Sequence, residues 1–161
     1  MDYKPILYVI GILLLMLALS MTIPLVVDLY SVHSDWKVFL FCASLTGFVG
    51  GSLALSNRSK ISEINVRQTF LITVTSWLFL SGFSALPFYL SELNISLTDS
   101  LFEAISGITT TGATILREID GIPPGLLIWR ALLQWLGGIG IIVMALSILP
   151  FLKVGGMQLF K

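Results

Sequence analysis

Four long apolar stretches divide this 161-residue sequence and decide what it can fold into. They cover residues 6–27, 38–55, 69–90 and 126–149, and a helix needs roughly 17 to 25 residues to cross the hydrocarbon core of a bilayer. Within lipid, a helix satisfies every backbone N–H and C=O group inside its own segment. We therefore predict an all-α membrane protein with four transmembrane helices.

The composition agrees with a membrane protein and excludes several functions. Hydrophobic residues make up 56% of the chain and charged residues 11%, whereas about a quarter of the residues in a soluble domain are charged. The net charge is zero and the sequence has no basic run, so we expect no nucleic-acid partner. The single histidine and the scattered carboxylates share no recognisable catalytic spacing, so we expect neither an enzyme nor a cofactor.

The basic residues are distributed unequally between the two sides of the predicted spans. Cytoplasmic flanks of membrane helices carry an excess of Lys and Arg. Six of the nine Lys and Arg residues fall on one side. These are Lys4, Arg58, Lys60, Arg67, Lys153 and Lys161. We therefore predict that this side is cytoplasmic and that both termini lie inside the cell.

Several residues near the spans indicate packing rather than chemistry. Gly47 and Gly51 in the second span have the spacing that lets another helix approach closely. Pro24 and Pro87 lie near the ends of the first and third spans, where a kink is tolerated. His33 lies in an outer loop without a second ligand at metal spacing, so we expect a solvated histidine.

The connection between the third and fourth spans, residues 91–125, is too long to be a simple turn. Ser96, Thr98 or Asp99 can cap a short helix that runs to near Gly107. A helix of this length cannot span the membrane. We therefore predict a re-entrant pore helix that enters and leaves on the outer side, with its C-terminus pointing into the membrane.

A polar run, Thr109-Thr110-Thr111-Gly112-Ala113-Thr114, follows the predicted pore helix. Threonine favours extended backbone, and Gly112 can adopt positive φ values that threonine avoids. An extended segment can aim several carbonyl groups at one axis, and rings of such carbonyls replace the hydration shell of a monovalent cation. The pattern favours an extended filter loop. From the residues alone, an ordinary surface loop stays an open alternative.

Two charged residues lie near the predicted filter. Glu103, on the pore helix, can raise the local cation concentration at a pore mouth, or it can act as a scaffold by hydrogen-bonding the filter backbone. Arg130 lies in the outer part of the fourth span, where it can face protein or water or extend to the membrane interface. Both pairs of alternatives stay open at this point.

Three segments together resemble one known family. They are residues 102–114 (FEAISGITTTGAT), 129–143 (WRALLQWLGGIGIIV) and 149–159 (LPFLKVGGMQL). In order and spacing they resemble the superfamily of potassium transporters that includes the TrkH, TrkG, KtrB and plant HKT proteins, and the bacterial TrkH branch fits best. In that superfamily four membrane–pore-loop–membrane repeats in one chain surround a single pore, and each contributes one filter strand.

The resemblance implies an organisation and a set of site residues. Residues 1–66 would form two transmembrane helices ahead of the pore repeats, and residues 67–161 the first repeat. The transported ion would be K⁺. The filter would consist of Thr110, Thr111, Gly112 and Ala113, with Glu103, Thr109 and Arg130 as supporting pore residues.

The resemblance also implies partners and a location. These are membrane lipid, a homodimer of complete chains, a cytosolic nucleotide-binding regulatory subunit and the bacterial inner membrane. The departure from the superfamily is large, because 161 residues hold one repeat instead of four. We expect the N-terminal part of a longer or interrupted protein rather than several copies around one axis. A non-conducting membrane protein that docks on full-length transporters is the alternative function.

Overall fold

The computed structural model describes residues 3–58, 66–116 and 121–148, and all regular secondary structure in these ranges is helical. The helices of this part of the chain are α1 (Lys4–Ser20), α2 (Thr22–Tyr30), α3 (Trp36–Ser56), α4 (Val66–Leu90), α5 (Leu97–Ile108) and α6 (Pro124–Ile148). Several elements of the sequence predictions lie outside the described residues. These are the last residue of the fourth span, the 149–159 segment of the resemblance, and Lys60, Lys153 and Lys161 of the orientation argument.

The described residues contain four stretches that are long and apolar enough to cross a membrane. They are Lys4–Tyr30, Trp36–Ser56, Arg67–Leu90 and Pro124–Leu146. Between 22% and 39% of the residues in the most apolar window of each stretch are buried inside the chain. Most residues of these windows are therefore not buried by the chain itself, and their apolar surface requires lipid or further protein around it. The prediction of an all-α membrane protein with four transmembrane helices is confirmed.

The first span consists of two helices that meet at Met21. The Met21 N–H donates to the Leu17 carbonyl at 3.1 Å, and the Met21 carbonyl accepts from the Leu25 N–H at 3.3 Å. Pro24 falls in the first turn of α2, where a missing N–H removes no intrahelical bond. The helix of the first span is therefore interrupted at Met21, before Pro24. Pro87, by contrast, lies inside α4 without ending it.

Helices α1 and α3 approach each other closely enough for backbone contact. A Cβ atom on Gly11 would lie 2.6 Å from the Ala54 amide nitrogen and 2.8 Å from the Gly50 carbonyl oxygen. The prediction that Gly47 and Gly51 make this contact is wrong. A Cβ on either would meet only side-chain atoms, at 3.6 and 3.9 Å. Gly50 makes the backbone contact with α1 instead, where a Cβ would lie 2.9 Å from the Gly11 carbonyl oxygen.

Replacing Gly11 with alanine should lower the free energy of unfolding by about 1–3 kcal/mol, because the added methyl group meets backbone atoms that cannot rotate away. The measurement is unfolding of the purified chain in mixed micelles, followed by circular dichroism. Gly51→Ala is the matched control, and we expect it to be neutral or slightly stabilising because alanine favours helix. Equal destabilisation by both substitutions would contradict backbone contact at Gly11.

Trp129 fixes the rotation of α6 against two other helices. Its side chain is fully buried, and its Nε1–H donates to the Ser84 carbonyl of α4 at 3.0 Å. Its ring packs edge-on against Phe39 of α3, with ring centroids 6.3 Å apart. This orientation turns the next residue, Arg130, toward α5.

Asp28 holds the start of α6 against α2. Its Oδ1 atom accepts a hydrogen bond from the Gly125 N–H at 2.6 Å, and the partial positive charge at a helix N-terminus favours a carboxylate there. A Cβ on Gly125 would lie 2.3 Å from Asp28 Oδ2, so only glycine leaves room for this contact. Helix α2 is thereby fixed to the start of α6.

Candidate functional site

Helix α5 begins where the sequence predicts a short helix between the third and fourth spans. Ser96 is its N-cap, and the Ser96 Oγ atom accepts from the Asp99 N–H at 3.1 Å. The helix extends over Leu97–Ile108 and buries the face that carries Ser100, Glu103 and Ala104. It packs against α4 and α6. The predicted short helix is confirmed, and its entry into the membrane stays a prediction.

The chain leaves α5 through a hydrogen-bonded reversal at Thr110. The Thr111 N–H donates to the Ser106 carbonyl at 3.0 Å, and the Thr110 N–H donates to the Gly107 carbonyl at 2.9 Å. This pair of bonds caps the helix as in a Schellman motif, which needs a left-handed residue after the cap. Thr110 supplies it with a φ of 59°, at a cost of about 1–2 kcal/mol.

The expectation of extended backbone throughout the threonine run is therefore wrong at Thr109, the C-cap with a φ of −84° and a ψ of 1°, and at Thr110. Capping the last carbonyls of α5 outweighs the preference of a β-branched residue for extended backbone. Gly112 behaves as its residue type predicts, with a φ of 79°. A Cβ on Gly112 would meet no atom of the described residues within 4 Å, so glycine is required there by the backbone and not by lack of space.

Glu103 joins α5 to the segment that follows the reversal. Its side chain is fully buried, with 0% exposure. Its Oε1 accepts from Thr114 Oγ1 at 2.7 Å and from the Ile115 N–H at 2.6 Å. Its Oε2 accepts from Arg130 Nε at 2.8 Å. With both oxygens bound and no exposed surface, this carboxylate has the geometry of the scaffolding alternative.

Arg130 connects the buried carboxylate to the backbone of the polar segment. Its Nη2 donates to the Gly112 carbonyl at 3.2 Å and to the Ala113 carbonyl at 2.9 Å. The side chain is 21% exposed. Arg130 therefore faces protein rather than the membrane interface, and it closes a network that runs from α5 through α6 to the polar segment.

The backbone carbonyls of the polar segment fall into two sets. Those of Gly112 and Ala113 accept from Arg130, and Ala113 also accepts from Ser106 Oγ. Those of Thr109, Thr110 and Thr111 accept no hydrogen bond from any described residue. Carbonyl oxygens without protein donors are the groups that replace the water around a monovalent cation.

The C-terminal end of α5 lies directly on the backbone of α6. A Cβ on Gly137 would lie 1.8 Å from the Ile108 carbonyl oxygen. By contrast, a Cβ on Gly138 would come no closer than 3.9 Å to Thr110 Cγ2, and a Cβ on Gly140 would meet nothing within 4 Å. The glycine-rich part of α6 thus contains one position at which a side chain is impossible without moving α5.

All the site residues proposed from the sequence lie in this one region. They are Glu103, Thr109, Thr110, Thr111, Gly112, Ala113 and Arg130. Sequence reasoning missed Ser106 and Thr114, whose hydroxyls donate to the Ala113 carbonyl and to Glu103. For Ser106 the sequence did contain a signal, because it lies three residues after Glu103 and therefore on the same helix face.

Known proteins share both the sequence and the fold of this chain. Residues 35–161 match the family model TrkH, described as a cation transport protein. The chain is 45% identical over 159 residues to the Trk system potassium uptake protein TrkI of Halomonas elongata, covering 98% of this chain and 32% of that protein. It is 41% identical over 162 residues to TrkH of Escherichia coli K12, covering 100% of this chain and 34% of that protein.

A solved structure is similar over nearly all of the chain. The crystal structure of the potassium transporter TrkH from Vibrio parahaemolyticus matches with a TM-score of 0.90 and 38% identity. The match covers 97% of this chain and 34% of that one. The chain thus spans about a third of the length of the relatives it matches.

Proposed function

The chain belongs to the TrkH family of cation transport proteins, and from this premise we propose that it forms one wall of a potassium pathway through the membrane. The observation that carries the proposal is that the backbone carbonyls after α5 differ in whether a protein group donates a hydrogen bond to them. Thr109, Thr110 and Thr111 present carbonyl oxygens without a donor among the described residues. The next two carbonyls are held by Arg130.

The free carbonyls lie where the charge of α5 favours a cation. A helix carries a partial negative charge at its C-terminus, and the effect is strongest within the last turn. Thr109, Thr110 and Thr111 follow the last turn of α5 directly. Backbone carbonyls at this position replace the hydration shell of K⁺ without introducing a full negative charge that would trap the ion.

Arg130 supports a cation site although it carries a positive charge. Its guanidinium group is paired with the buried Glu103 carboxylate at 2.8 Å, so the two charges offset each other. Arg130 holds the carbonyls of Gly112 and Ala113. In this proposal it fixes the filter strand from behind and leaves the preceding threonine carbonyls to the ion.

One filter strand lies on one side of an axis, and a closed ring of carbonyls needs further strands. We propose that residues 1–66 form the two helices ahead of the repeats and that residues 67–161 form one repeat. The proposed filter strand then runs over Thr110, Thr111, Gly112 and Ala113, with Thr109 as support. Within it the threonine carbonyls face the ion, and those of Gly112 and Ala113 are held by Arg130. The relatives are about three times as long, and in this proposal their additional length supplies the rest of the ring.

The chain is a multi-pass membrane protein, and we propose that both termini are cytoplasmic in a bacterial inner membrane. Support comes from Lys4 at the start of α1, Arg58 after α3 and Arg67 in the first turn of α4, because alternating spans bring these ends to one side. A homodimer of complete chains and a cytosolic nucleotide-binding regulatory subunit belong to the same proposal and are supported by the family resemblance.

The decisive experiment joins this chain to a relative that supplies the missing length. Residues 1–161 replace the matching third of Escherichia coli TrkH, and rubidium uptake is measured in cells that lack their own potassium uptake systems. We expect the chimera to restore uptake. Gly112→Asp should then reduce uptake by at least about tenfold, because a carboxylate beside the carbonyls holds the cation too tightly for it to leave.

Gly121→Asp is the matched control for Gly112→Asp. Both glycines have open space around them and both belong to the connection between α5 and α6, but only Gly112 has left-handed backbone. Aspartate tolerates that backbone better than most residues do, so the comparison tests the position of the charge. Equal uptake by the two variants would refute the filter assignment and favour a non-conducting protein that docks on full-length transporters.

A further inference from the structure

Three side chains with metal-binding atoms meet at the outer end of the helices, outside the site described above. His33 and Asp35 lie in the loop between α2 and α3, and Glu92 lies directly after α4. One ligand atom from each residue lies within 4.8 Å of the other two. The sequence predicts a solvated His33 without a second ligand at metal spacing. In the structure His33 is half-buried, and Asp35 and Glu92 bring ligand atoms close to it.

Hydrogen bonds fix the backbone at His33 and Glu92 and the side chain of Asp35, and the Asp35 N–H donates to His33 Nδ1 at 3.5 Å. The His33 N–H donates to the Asp28 carbonyl at 2.9 Å, after a left-handed residue at Val32 with a φ of 55°. The Glu92 N–H donates to Asp35 Oδ1 at 3.4 Å. The cluster therefore rests on backbone from two different segments and does not depend on the rotamers of exposed side chains alone.

The buried carboxylate of Asp35 is an observation independent of the clustering of the three side chains. Its side chain is 1% exposed, and its Oδ2 has no hydrogen-bond partner among the described residues. A buried carboxylate oxygen without a donor costs free energy unless a cation or a proton joins it.

The donor set selects a class of metal ion. Imidazole together with two carboxylates suits Zn²⁺ and neighbouring divalent transition metals, whereas Ca²⁺ and Mg²⁺ take oxygen ligands. In a tetrahedral zinc site the donors lie about 3.4 Å apart, which follows from metal–ligand bonds of about 2.1 Å. Glu92 is exposed, so rotation of its side chain can bring the cluster to this spacing.

We propose that His33, Asp35 and Glu92 bind a divalent transition-metal ion of the Zn²⁺ class. The ion completes the coordination of Asp35 and links the α2–α3 loop to the chain after α4. Because a folded site binds the metal and the unfolded chain does not hold the same geometry, binding stabilises the fold. This site is independent of the proposed potassium pathway and remains testable if that proposal fails.

The test is zinc titration of the purified chain in detergent micelles, carrying an affinity tag without histidine. We expect saturable binding by calorimetry and a rise in the thermal unfolding midpoint with Zn²⁺. His33→Ala and Glu92→Gln should each weaken binding by at least about tenfold, because loss even of an outer-sphere partner costs 10- to 100-fold. Both side chains lie at least partly at the surface, so these variants should keep their helical circular dichroism.

Ser34→Ala is the matched control in the same loop. Ser34 Oγ donates to Glu92 Oε1, so its removal frees that oxygen and leaves all three ligands in place. We expect zinc binding by this variant to equal or exceed that of the parent chain. The absence of saturable zinc binding by the parent chain, or unchanged binding by both ligand variants, would overturn the proposal.

Discussion

Replacing Gly137 with alanine should abolish rubidium uptake by the chimera, whereas replacing Gly140 should leave it near the parent level. A Cβ on Gly137 would lie 1.8 Å from the Ile108 carbonyl oxygen and 2.6 Å from its carbonyl carbon. Both are backbone atoms at the end of α5, so no side-chain rotation relieves the overlap. The end of α5 must move away from α6.

A displacement of the end of α5 also displaces the proposed filter, because the filter segment follows Ile108 directly in the chain. The α5 reversal begins at Thr109, directly after Ile108, and its hydrogen bonds hold the N–H groups of Thr110 and Thr111, whose peptide planes carry the carbonyls of Thr109 and Thr110. Helix propensity alone predicts the opposite result, because alanine stabilises a helix by about 1 kcal/mol relative to glycine. Loss of uptake at Gly137 would therefore report the close approach of α5 and not a weakened α6.

Gly140→Ala separates these two effects. It lies on the same helix and gains the same propensity, but a Cβ there meets nothing within 4 Å among the described residues. Membrane insertion of both variants is compared by immunoblot before uptake is measured. Full uptake by the Gly137→Ala chimera would show that α5 and α6 are not in backbone contact in the working protein.

The spans and the short helix follow from local sequence signals. A run of about twenty apolar residues predicts a membrane helix from its length and composition alone. Ser96 predicts the start of α5, because its hydroxyl is placed to accept the N–H three residues later. Each signal acts within one segment, and for that reason each could be read without knowing how the helices pack.

The errors and omissions concern contacts between segments. Gly50 rather than Gly51 makes backbone contact with α1. The difference depends on the rotation of α3, which hydropathy does not determine when a helix is apolar all round. Asp28 and Gly125 are 97 residues apart, and no spacing rule connects them. Thr110 is left-handed because the cap of α5 requires it, so the preference of the residue alone gave the wrong backbone.

Arg130→Met should destabilise the chain more than the double variant Glu103→Gln/Arg130→Met does. The single substitution leaves the Glu103 carboxylate buried without its cation, which typically costs about 3–5 kcal/mol. In the double variant position 103 is neutral and keeps an amide oxygen that accepts from Thr114 and Ile115. The buried charge is then absent, so most of the lost stability should return.

We expect the double variant to regain stability without regaining rubidium uptake. The carbonyls of Gly112 and Ala113 accept from Arg130 Nη2, and the double variant removes these donors as surely as the single one does. The free energy of unfolding is measured on the purified chain in mixed micelles, and rubidium uptake on the chimera with Glu103→Gln as the other single variant of the cycle. A double variant that is stable and inactive would assign two roles to Arg130, neutralising the buried Glu103 carboxylate and holding the filter strand. A double variant that is no more stable than Arg130→Met would contradict the first assignment, and one that transports normally would contradict the second.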